Sequence, residues 1–323
     1  MITRRVLLTT LAAAAGLCAL PALAQSGFPN KPVTLVVPFP PGGPIDVTGR
    51  ALAARLQEIW KQPVVVENKS GANGAIGAAF VSRAAPDGYT LLVNSIHHSV
   101  LPSLMPSLGY DPKDLLPVSY AATFDIFLVA HPSAPFNSVS ELIAYAKKNP
   151  GKVSYASAGS GGGTHMAGEL FRLQTGTQLL QIPYKGSAPA VTDVLGGQVN
   201  MMFADGPSGV PHAKRGALKA LAVGSPKRSS ALPDVPTFNE AGLKGYEAYS
   251  WAGVMAPAGT PKALIDKISA DVNTALNHPD ARARLAGVGA TAAPNTPEQY
   301  GKFFQAEMAK WAKVIKDGNI KVD

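Results

Sequence analysis

Two glycine-rich turns are the stretches of this sequence whose residue types best suit ligand binding. The first is Pro40-Pro41-Gly42-Gly43, which follows an apolar run and precedes a helix-type pattern. The second runs from Gly159 to Gly163 and has the same position in a later, similar unit. Glycine lets the backbone approach a ligand closely, and the start of a helix offers unpaired amides. Each turn therefore suits a carboxylate or a phosphate, although a plain tight loop would have the same sequence.

Neither turn matches a nucleotide-binding motif. The first lacks the Lys-Ser or Lys-Thr pair of a P-loop, and the second lacks the last glycine of the dinucleotide fingerprint. Asp46 falls in the first turn of the helix that follows the first glycines. It could cap the free amides of that helix or contact a ligand directly, and the sequence leaves both interpretations open.

Ser160, His165 and Glu169 are the residues that could indicate catalysis or metal binding instead of simple ligand binding. Ser160 could act as a nucleophile beside an oxyanion hole, but the first glycine of a nucleophile elbow is missing. His165 lies too near Ser160 in sequence to be assigned as its base. His165 and Glu169 are spaced like a metal-binding pair, but no third ligand accompanies them. We predict no catalytic residues, no metal and no cofactor.

Composition indicates a globular protein, and the first 24 residues indicate that it is exported. It has 323 residues, 46% hydrophobic and 15% charged, which is enough for about two domains. Residues 1–24 have the pattern of a signal peptide, with cleavage near Ala24/Gln25 and export to the periplasm by either the Sec or the twin-arginine route. Cleavage removes Cys18, the single cysteine, so no disulfide is expected. The net charge of +8 is scattered, which argues against nucleic-acid binding.

Strand-type and helix-type patterns alternate along the chain. This alternation predicts two α/β units with parallel sheets. Ligands bind at the carboxyl ends of parallel strands, so both glycine turns are expected to face one cleft. The pattern also predicts one long strand over 123–132, a helix over 71–85 and a helix capped by Thr260. Predicted strands are Val33–Val37, Val64–Glu67, Thr90–Asn94, Val153–Ser157, Leu179–Pro183, Val199–Phe203, Leu218–Val223 and Ser250–Met255.

A series of longer motifs resembles a known family. In order, they are FPNKPVTLVVPFPPGGPID at 28–46, VVVENKSGANGAIGA at 64–78, PDGYTLL at 86–92, SYASAGSGGGTHMAGELF at 154–171, IPYKGSAPAVTDVLGGQVNMMF at 182–203, ALAVGSPKRSSALPDVPTFNEAGL at 220–243 and GVMAPAGTPK at 253–262. Through them the chain resembles, over essentially its whole length, the substrate-binding receptors of tripartite tricarboxylate transporters, the Bug-type periplasmic proteins.

This resemblance implies a fold and a function. The implied fold is α/β, a two-lobed periplasmic binding protein (type II-like) with two Rossmann-like domains joined by two crossovers. Domain 1 is expected at 26–127 plus 248–323, and domain 2 at 128–247. The implied function is capture of a small organic carboxylate by a monomer, for delivery to a membrane permease or a sensor. The ligand's identity is left open, and a secreted esterase-like hydrolase is the alternative.

The resemblance also implies ligand contacts on both lobes. In the family the acidic residue directly follows a phenylalanine, whereas here Ala204 intervenes, which weakens the assignment of Asp205. The expected contacts are Phe39, Pro40, Pro41, Gly42, Gly43, Asp46, Asn94, Ser95 and His97 from the first lobe, and Ser157, Gly159, Ser160, Gly162, Thr164, His165, Tyr184, Lys185, Gly186 and Asp205 from the second.

Overall fold

A computed structural model describes residues 27–105 and 107–321, so the predicted signal peptide lies outside the described residues. The strands fall close to where the apolar runs predict them. They are β1 (Val33–Val37), β2 (Val64–Asn68), β3 (Thr90–Ser95), β4 (Leu115–Phe124), β5 (Ile126–Ala130), β6 (Val153–Ser157), β7 (Leu179–Pro183), β8 (Met201–Asp205), β9 (Lys219–Val223), β10 (Ser250–Pro257) and β11 (Ala290–Ala292).

Helices connect and cover these strands. They are α1 (Pro44–Trp60), α2 (Ala75–Ser82), α3 (His97–Leu104), α4 (Val139–Lys148), α5 (Gly163–Thr175), α6 (Ser187–Leu195), α7 (Gly206–Lys214), α8 (Lys262–Asn277), α9 (Pro279–Gly287) and α10 (Pro297–Gly318). None of the helices in the described ranges is both long and apolar enough to cross a membrane.

The strands form two sheets, one in each lobe. Their orders are β11-β4-β10-β3-β1-β2 and β7-β6-β8-β5-β9. As predicted, β1 is parallel to β2 and β3, and β6 is parallel to β7 and β8. However, β10 is antiparallel to β3 and β4, and β5 is antiparallel to β8 and β9. The sheets are therefore mixed rather than wholly parallel, because β5 and β10 arrive from the other lobe without a crossover helix within their own sheet.

The chain crosses between the lobes twice, and the crossovers lie side by side. The single long strand predicted over 123–132 is wrong, because β4 ends at Phe124 in one sheet and β5 begins at Ile126 in the other. The return crossover lies at 248–249, just before β10, where the Ala248 amide donates to the Gly224 carbonyl at 2.9 Å. Ser225, which follows β9 in the second lobe, donates its hydroxyl to Asp125 at 2.5 Å. We propose Asp125 as the lobe boundary, two residues before the expected position at 127.

The C-terminal helix α10 links the cores of the two lobes. Trp251 and Trp311 are fully buried, and both indole N–H groups donate to Glu307 Oε2, at 3.0 and 2.9 Å. At its end, α10 packs against α5 of the second lobe, and Arg172 donates to the Gly318 carbonyl at 3.1 Å. One continuous apolar cluster thus includes residues of both lobes.

Two predicted helix starts differ in the structure. The pattern predicts a helix over 71–85, but α2 begins only at Ala75, because Gly71 to Gly74 all have positive φ. Thr260 is not the cap of α8; its hydroxyl donates to the Pro257 carbonyl at 2.7 Å, and Pro261 occupies the N-cap position.

Candidate ligand-binding cleft

A cleft of about 830 Å³ lies between the two lobes. The first lobe contributes the first glycine turn, the loop 70–74 and the end of β3. The second lobe contributes the second glycine turn, the start of α6 and the end of β8. Phe124, Ile126 and Ser250, beside the two crossovers, also line it. The carboxyl ends of strands from both sheets therefore meet at one site, as the alternating pattern predicts.

Five helices begin at the cleft wall without a side-chain cap: α1, α2, α3, α5 and α6. The first turns of α2 and α3 are already bonded to the turns before them, through Ala75 to Ala72 and Ser99 to Ile96. The N-cap residues of α1, α5 and α6 are Gly43, Gly162 and Gly186, and none of them has a side chain that could accept a first-turn amide. All three glycines line the cleft. The unpaired amides and the positive ends of three helix dipoles therefore favour a negatively charged group there.

Asp46 stabilises the first glycine turn from behind. Its Oδ2 accepts from the Gly42 amide and from Arg50 Nε, both at 2.9 Å, and its Oδ1 accepts from Asn68 Nδ2 at 2.8 Å. Burial raises the pKa of this carboxyl, but these hydrogen bonds lower the pKa by more, so it lies below its usual value. Gly42 itself has φ of +85°, which only glycine adopts readily. The carboxylate thus fixes the turn and is not among the residues lining the cleft.

His97 lines the cleft as a neutral side chain. Burial and the neighbouring His98 lower the pKa of His97 to about 4. Its ring lies 5.0 Å from that of Phe39, and its Nδ1 lies 3.3 Å from the Ser95 hydroxyl. A Cβ atom added to Gly162, on the opposite lobe, would be 3.1 Å from His97 Nε2. His97 therefore brings a hydrogen-bonding group, but no positive charge, next to the second glycine turn.

Asp205 is the one charged side chain among the described residues that line the cleft. Its Oδ1 accepts from the Ser208 amide at 3.1 Å and from the Ser208 hydroxyl at 2.7 Å, which caps α7. Its Oδ2 accepts from the Ser187 hydroxyl at 2.5 Å. The extra residue Ala204 therefore does not remove Asp205 from the cleft.

The structure brings most of the predicted contacts together. Their contact with a ligand stays a prediction. The residues that line the cleft are Phe39, Pro40, Pro41, Gly43, Ser95, His97, Gly159, Ser160, Gly162, Thr164, Gly186 and Asp205.

Seven predicted contacts lie outside the cleft lining. Asn94 is fully buried and accepts the Tyr300 hydroxyl at 2.6 Å. Ser157 accepts from Gln181 at 2.9 Å, and Tyr184 donates to Asp193 at 2.6 Å. The others are Gly42 and Asp46, described above, the exposed Lys185, and His165.

His165 braces the second glycine turn instead of facing the cleft. Its Nδ1 accepts from the Gly161 amide at 3.0 Å. Glu169, its predicted metal-binding partner, accepts from the Tyr155 hydroxyl and from Arg172. In the part of the chain that the structure describes, no hydrogen bond joins Ser160 to His165, and no group of three or more His, Cys, Asp or Glu residues is placed to hold a metal ion.

Sequence reasoning missed a third cleft loop, 70–74. Ser70 to Gly74 line the first-lobe wall, and four consecutive residues have positive φ: Gly71 (132°), Ala72 (46°), Asn73 (53°) and Gly74 (99°). The run Gly-Ala-Asn-Gly contains two glycines and an asparagine, the residue types that best tolerate this backbone region. That composition could have identified the loop.

Two α/β lobes joined by paired crossovers around a cleft define the fold of the periplasmic solute-binding proteins. The family model described as tripartite tricarboxylate transporter family receptor matches residues 48–320. The chain belongs to this family, as its motifs predict.

Individual relatives match nearly end to end. Protein BugT of Bordetella pertussis is 41% identical over 298 residues, which is 91% of each chain. A solved structure of Rpa4515 from R. palustris, with adipate, is 36% identical and has a TM-score of 0.79 over 91% of this chain and 99% of that one. MatC from Rhodopseudomonas palustris, with bound malate, is 33% identical and has a TM-score of 0.76 over 89% of this chain and 100% of that one.

Proposed function

We propose that this protein is a periplasmic receptor that binds a small organic carboxylate in the cleft between its lobes. The observation that carries the proposal is the meeting of three uncapped helix N-termini, at Gly43, Gly162 and Gly186, in one cleft. The adipate and malate in the structures of two relatives support the same ligand class. We expect the receptor to act as a monomer, and to deliver its ligand to a membrane permease or a sensor.

Recognition in this proposal depends on backbone amides rather than on a guanidinium or ammonium group. None of the described cleft-lining residues is a lysine or an arginine, and His97 is neutral at physiological pH because its pKa is about 4. The carboxylate instead accepts hydrogen bonds from first-turn amides and from hydroxyls such as Ser95, Ser160 and Ser250, which also line the cleft. Hydrogen bonds to a charged acceptor are stronger than those between neutral groups.

Ligand binding and lobe closure are coupled in this proposal. The first-lobe amides belong to α1 and the second-lobe amides to α5 and α6, so a ligand that contacts both sets has its highest affinity when the lobes are close. Such a ligand shifts the population towards the closed state by its difference in affinity.

A thermal-shift panel tests the proposal. The chain from Gln25 onward is heated with small mono-, di- and tricarboxylates, with their methyl esters, and with neutral sugars. A ligand that binds only the folded state raises the melting temperature by mass action. We expect a concentration-dependent rise with at least one carboxylate and none with its ester. No rise with any acid, together with hydrolysis of an ester, would replace the receptor with an esterase-like enzyme.

A further inference from the structure

Charge is distributed unevenly around the cleft. The uncapped amides of α1 and α5 lie at the two glycine turns, whereas the carboxylate of Asp205 lies at the end of β8, next to the start of α6. Asp205 pairs with Ile126 in the sheet, and the Gly206 amide donates to the Asp125 carbonyl at 3.1 Å. Asp205 is therefore beside the crossover, where the two lobes join, and a ligand that reaches this part of the cleft meets a negative charge.

The Asp205 carboxylate has one acceptor position left on the cleft side. A carboxylate oxygen accepts about two hydrogen bonds. Both positions of Oδ1 are taken by the Ser208 amide and hydroxyl, whereas Oδ2 accepts only from Ser187. Because Ser187 lines the cleft and Ser208 does not, we infer that Oδ2 is the oxygen that faces the cleft.

We propose that Asp205 selects a carboxylate ligand that also carries a hydrogen-bond donor, either a hydroxyl or an ammonium group. The inference rests on the proposed function, because the amides of the glycine turns must hold the carboxylate. A donor can fill the open position on Asp205 Oδ2. A second ligand carboxylate in the same place would be repelled by a like charge in a partly desolvated cleft, where such repulsion is strong.

The first test compares ligands that share a carbon skeleton. The wild-type chain is titrated calorimetrically with three series: acetate, glycolate and glycine; succinate, malate and aspartate; glutarate, 2-hydroxyglutarate and glutamate. In at least one series, the hydroxy or amino acid is expected to bind about tenfold or more tightly than the unsubstituted acid, as a hydrogen bond to a charged group allows. The two substituted members distinguish a hydroxyl donor from an ammonium donor.

The second test uses Asp205→Asn, which replaces a hydrogen-bond acceptor on the cleft side of residue 205 by a donor. The Ser208 amide requires an acceptor at Oδ1, so the asparagine oxygen is expected there and its NH₂ group takes the place of Oδ2. The cleft-side acceptor then becomes a donor, while the cap of α7 is kept. The preference should fall by about tenfold or reverse towards the unsubstituted acid, with the larger loss for an ammonium ligand.

Asp193→Asn is the matched control. Asp193 also belongs to the second lobe and accepts the Tyr184 hydroxyl, but it does not line the cleft. Removing the same charge there should leave the preference unchanged. The inference is overturned if the wild type binds carboxylates but prefers the unsubstituted acids, a result that needs no variant to fold. It is also overturned if Asp205→Asn folds and keeps the wild-type preference. Binding of no carboxylate in any series or in the panel overturns the proposed function as well.

Discussion

Single glycines occupy the helix starts where Ser, Thr or Asp usually provides a cap. Away from the cleft, α4 and α10 have ordinary caps: the Ser138 hydroxyl accepts the Glu141 amide, and Thr296 forms a reciprocal capping box with Gln299. The helices at the cleft, capped by Gly43, Gly162 and Gly186, lack such an acceptor. This contrast supports the proposal that their first-turn amides bind the ligand.

Gly162→Val tests this role at one residue. Gly162 has φ of −84°, so valine adds no backbone strain, but its side chain would lie about 3.1 Å from His97 Nε2 and would occupy the cleft. We expect carboxylate affinity to fall at least about 100-fold, while the free energy of unfolding changes by less than about 1 kcal/mol. Calorimetry and urea unfolding measure the two effects.

Gly287→Val is the control for this change. Gly287 lies at the end of α9, where an added Cβ would contact nothing within 4 Å. This variant should bind like the wild type. Equal carboxylate binding by the Gly162→Val protein would contradict the assignment of the second glycine turn as a ligand site.

His98 makes stability depend on pH. It is buried, its Nδ1 accepts from the Ser95 amide at 3.1 Å, and its Nε2 has no hydrogen-bond partner among the described residues. Burial lowers the pKa of His98 from 6.5 to about 4 in the folded state. Because the unfolded chain takes up this proton at higher pH than the folded chain, the free energy of unfolding should fall as pH drops from about 6.5 to 4.

His98→Asn tests this dependence. The asparagine oxygen can still accept from the Ser95 amide, but the side chain does not titrate. Urea unfolding at several pH values should show a shallower decline between pH 6.5 and 4, with a residual slope from His97, whose pKa is also about 4. A slope identical to that of the wild type would show that His98 is not buried in its neutral form.

The sequence predicts the position of both glycine turns at the cleft, because a glycine turn between a strand and a helix is a local pattern. It predicts individual strand residues less well. Asn94 and Ser95 are neighbours on β3, so their side chains point to opposite faces, and only Ser95 lines the cleft. Which face meets the other lobe depends on long-range packing. For the same reason His165, one residue after the cleft-lining Thr164, lies beneath the turn.

Among the helices and strands, the position of α5 is set by its close packing against β6. A Cβ atom at Gly168 would lie only 2.3 Å from the ring of Tyr155, so the helix can pack this tightly only with glycine there. The Tyr155 hydroxyl in turn donates to Glu169 at 2.9 Å. This packing places the start of α5, with Gly162 and Gly163, at the cleft wall.

Gly168→Ala should therefore affect stability and binding together. The extra methyl must push α5 away from β6, which costs about 1–3 kcal/mol of unfolding free energy. Because the start of α5 moves with the helix, carboxylate affinity should also fall, although Gly168 does not line the cleft. The carboxylate affinity is measured by calorimetry and the free energy of unfolding by urea denaturation, each for Gly168→Ala and for the control Gly287→Ala. Unchanged affinity in a destabilised Gly168→Ala protein would show that the position of α5 does not control the site.

Element boundaries that depend on pairing could not be predicted from local pattern. The apolar run 123–132 looks like one strand, but its two halves pair in different sheets on either side of Asp125. The predicted strand is interrupted at Asp125 because its two halves join different sheets. The local sequence of ten residues does not show which sheet each half joins. The loop 70–74, by contrast, has a local sequence signal, since its two glycines and its asparagine tolerate positive φ. The small residues around it also fit a helix, and the helix predicted over 71–85 therefore includes the loop.

In the whole molecule, the two lobes line one cleft and are connected by α10 and by the two crossovers. Trp251 of β10 anchors α10 by donating to Glu307, and Arg172 of α5 donates to the Gly318 carbonyl at the end of α10. Between the two crossovers, the Gly224 amide donates to the Ile126 carbonyl at 2.8 Å and the Gly224 carbonyl accepts from the Ala248 amide at 2.9 Å. A ligand bound at the carboxyl ends of both sets of strands is thus positioned to sense both lobes at once.

Backbone amide spectroscopy shows directly whether a carboxylate binds at the uncapped helix starts. A ¹⁵N-TROSY titration with the best carboxylate of the panel reports each amide separately. We expect saturable shifts concentrated at the starts of α1, α5 and α6, in Ile45, Gly163, Thr164 and Ser187, which line the cleft. Saturable shifts confined to another surface, or none with any carboxylate, would contradict this expectation.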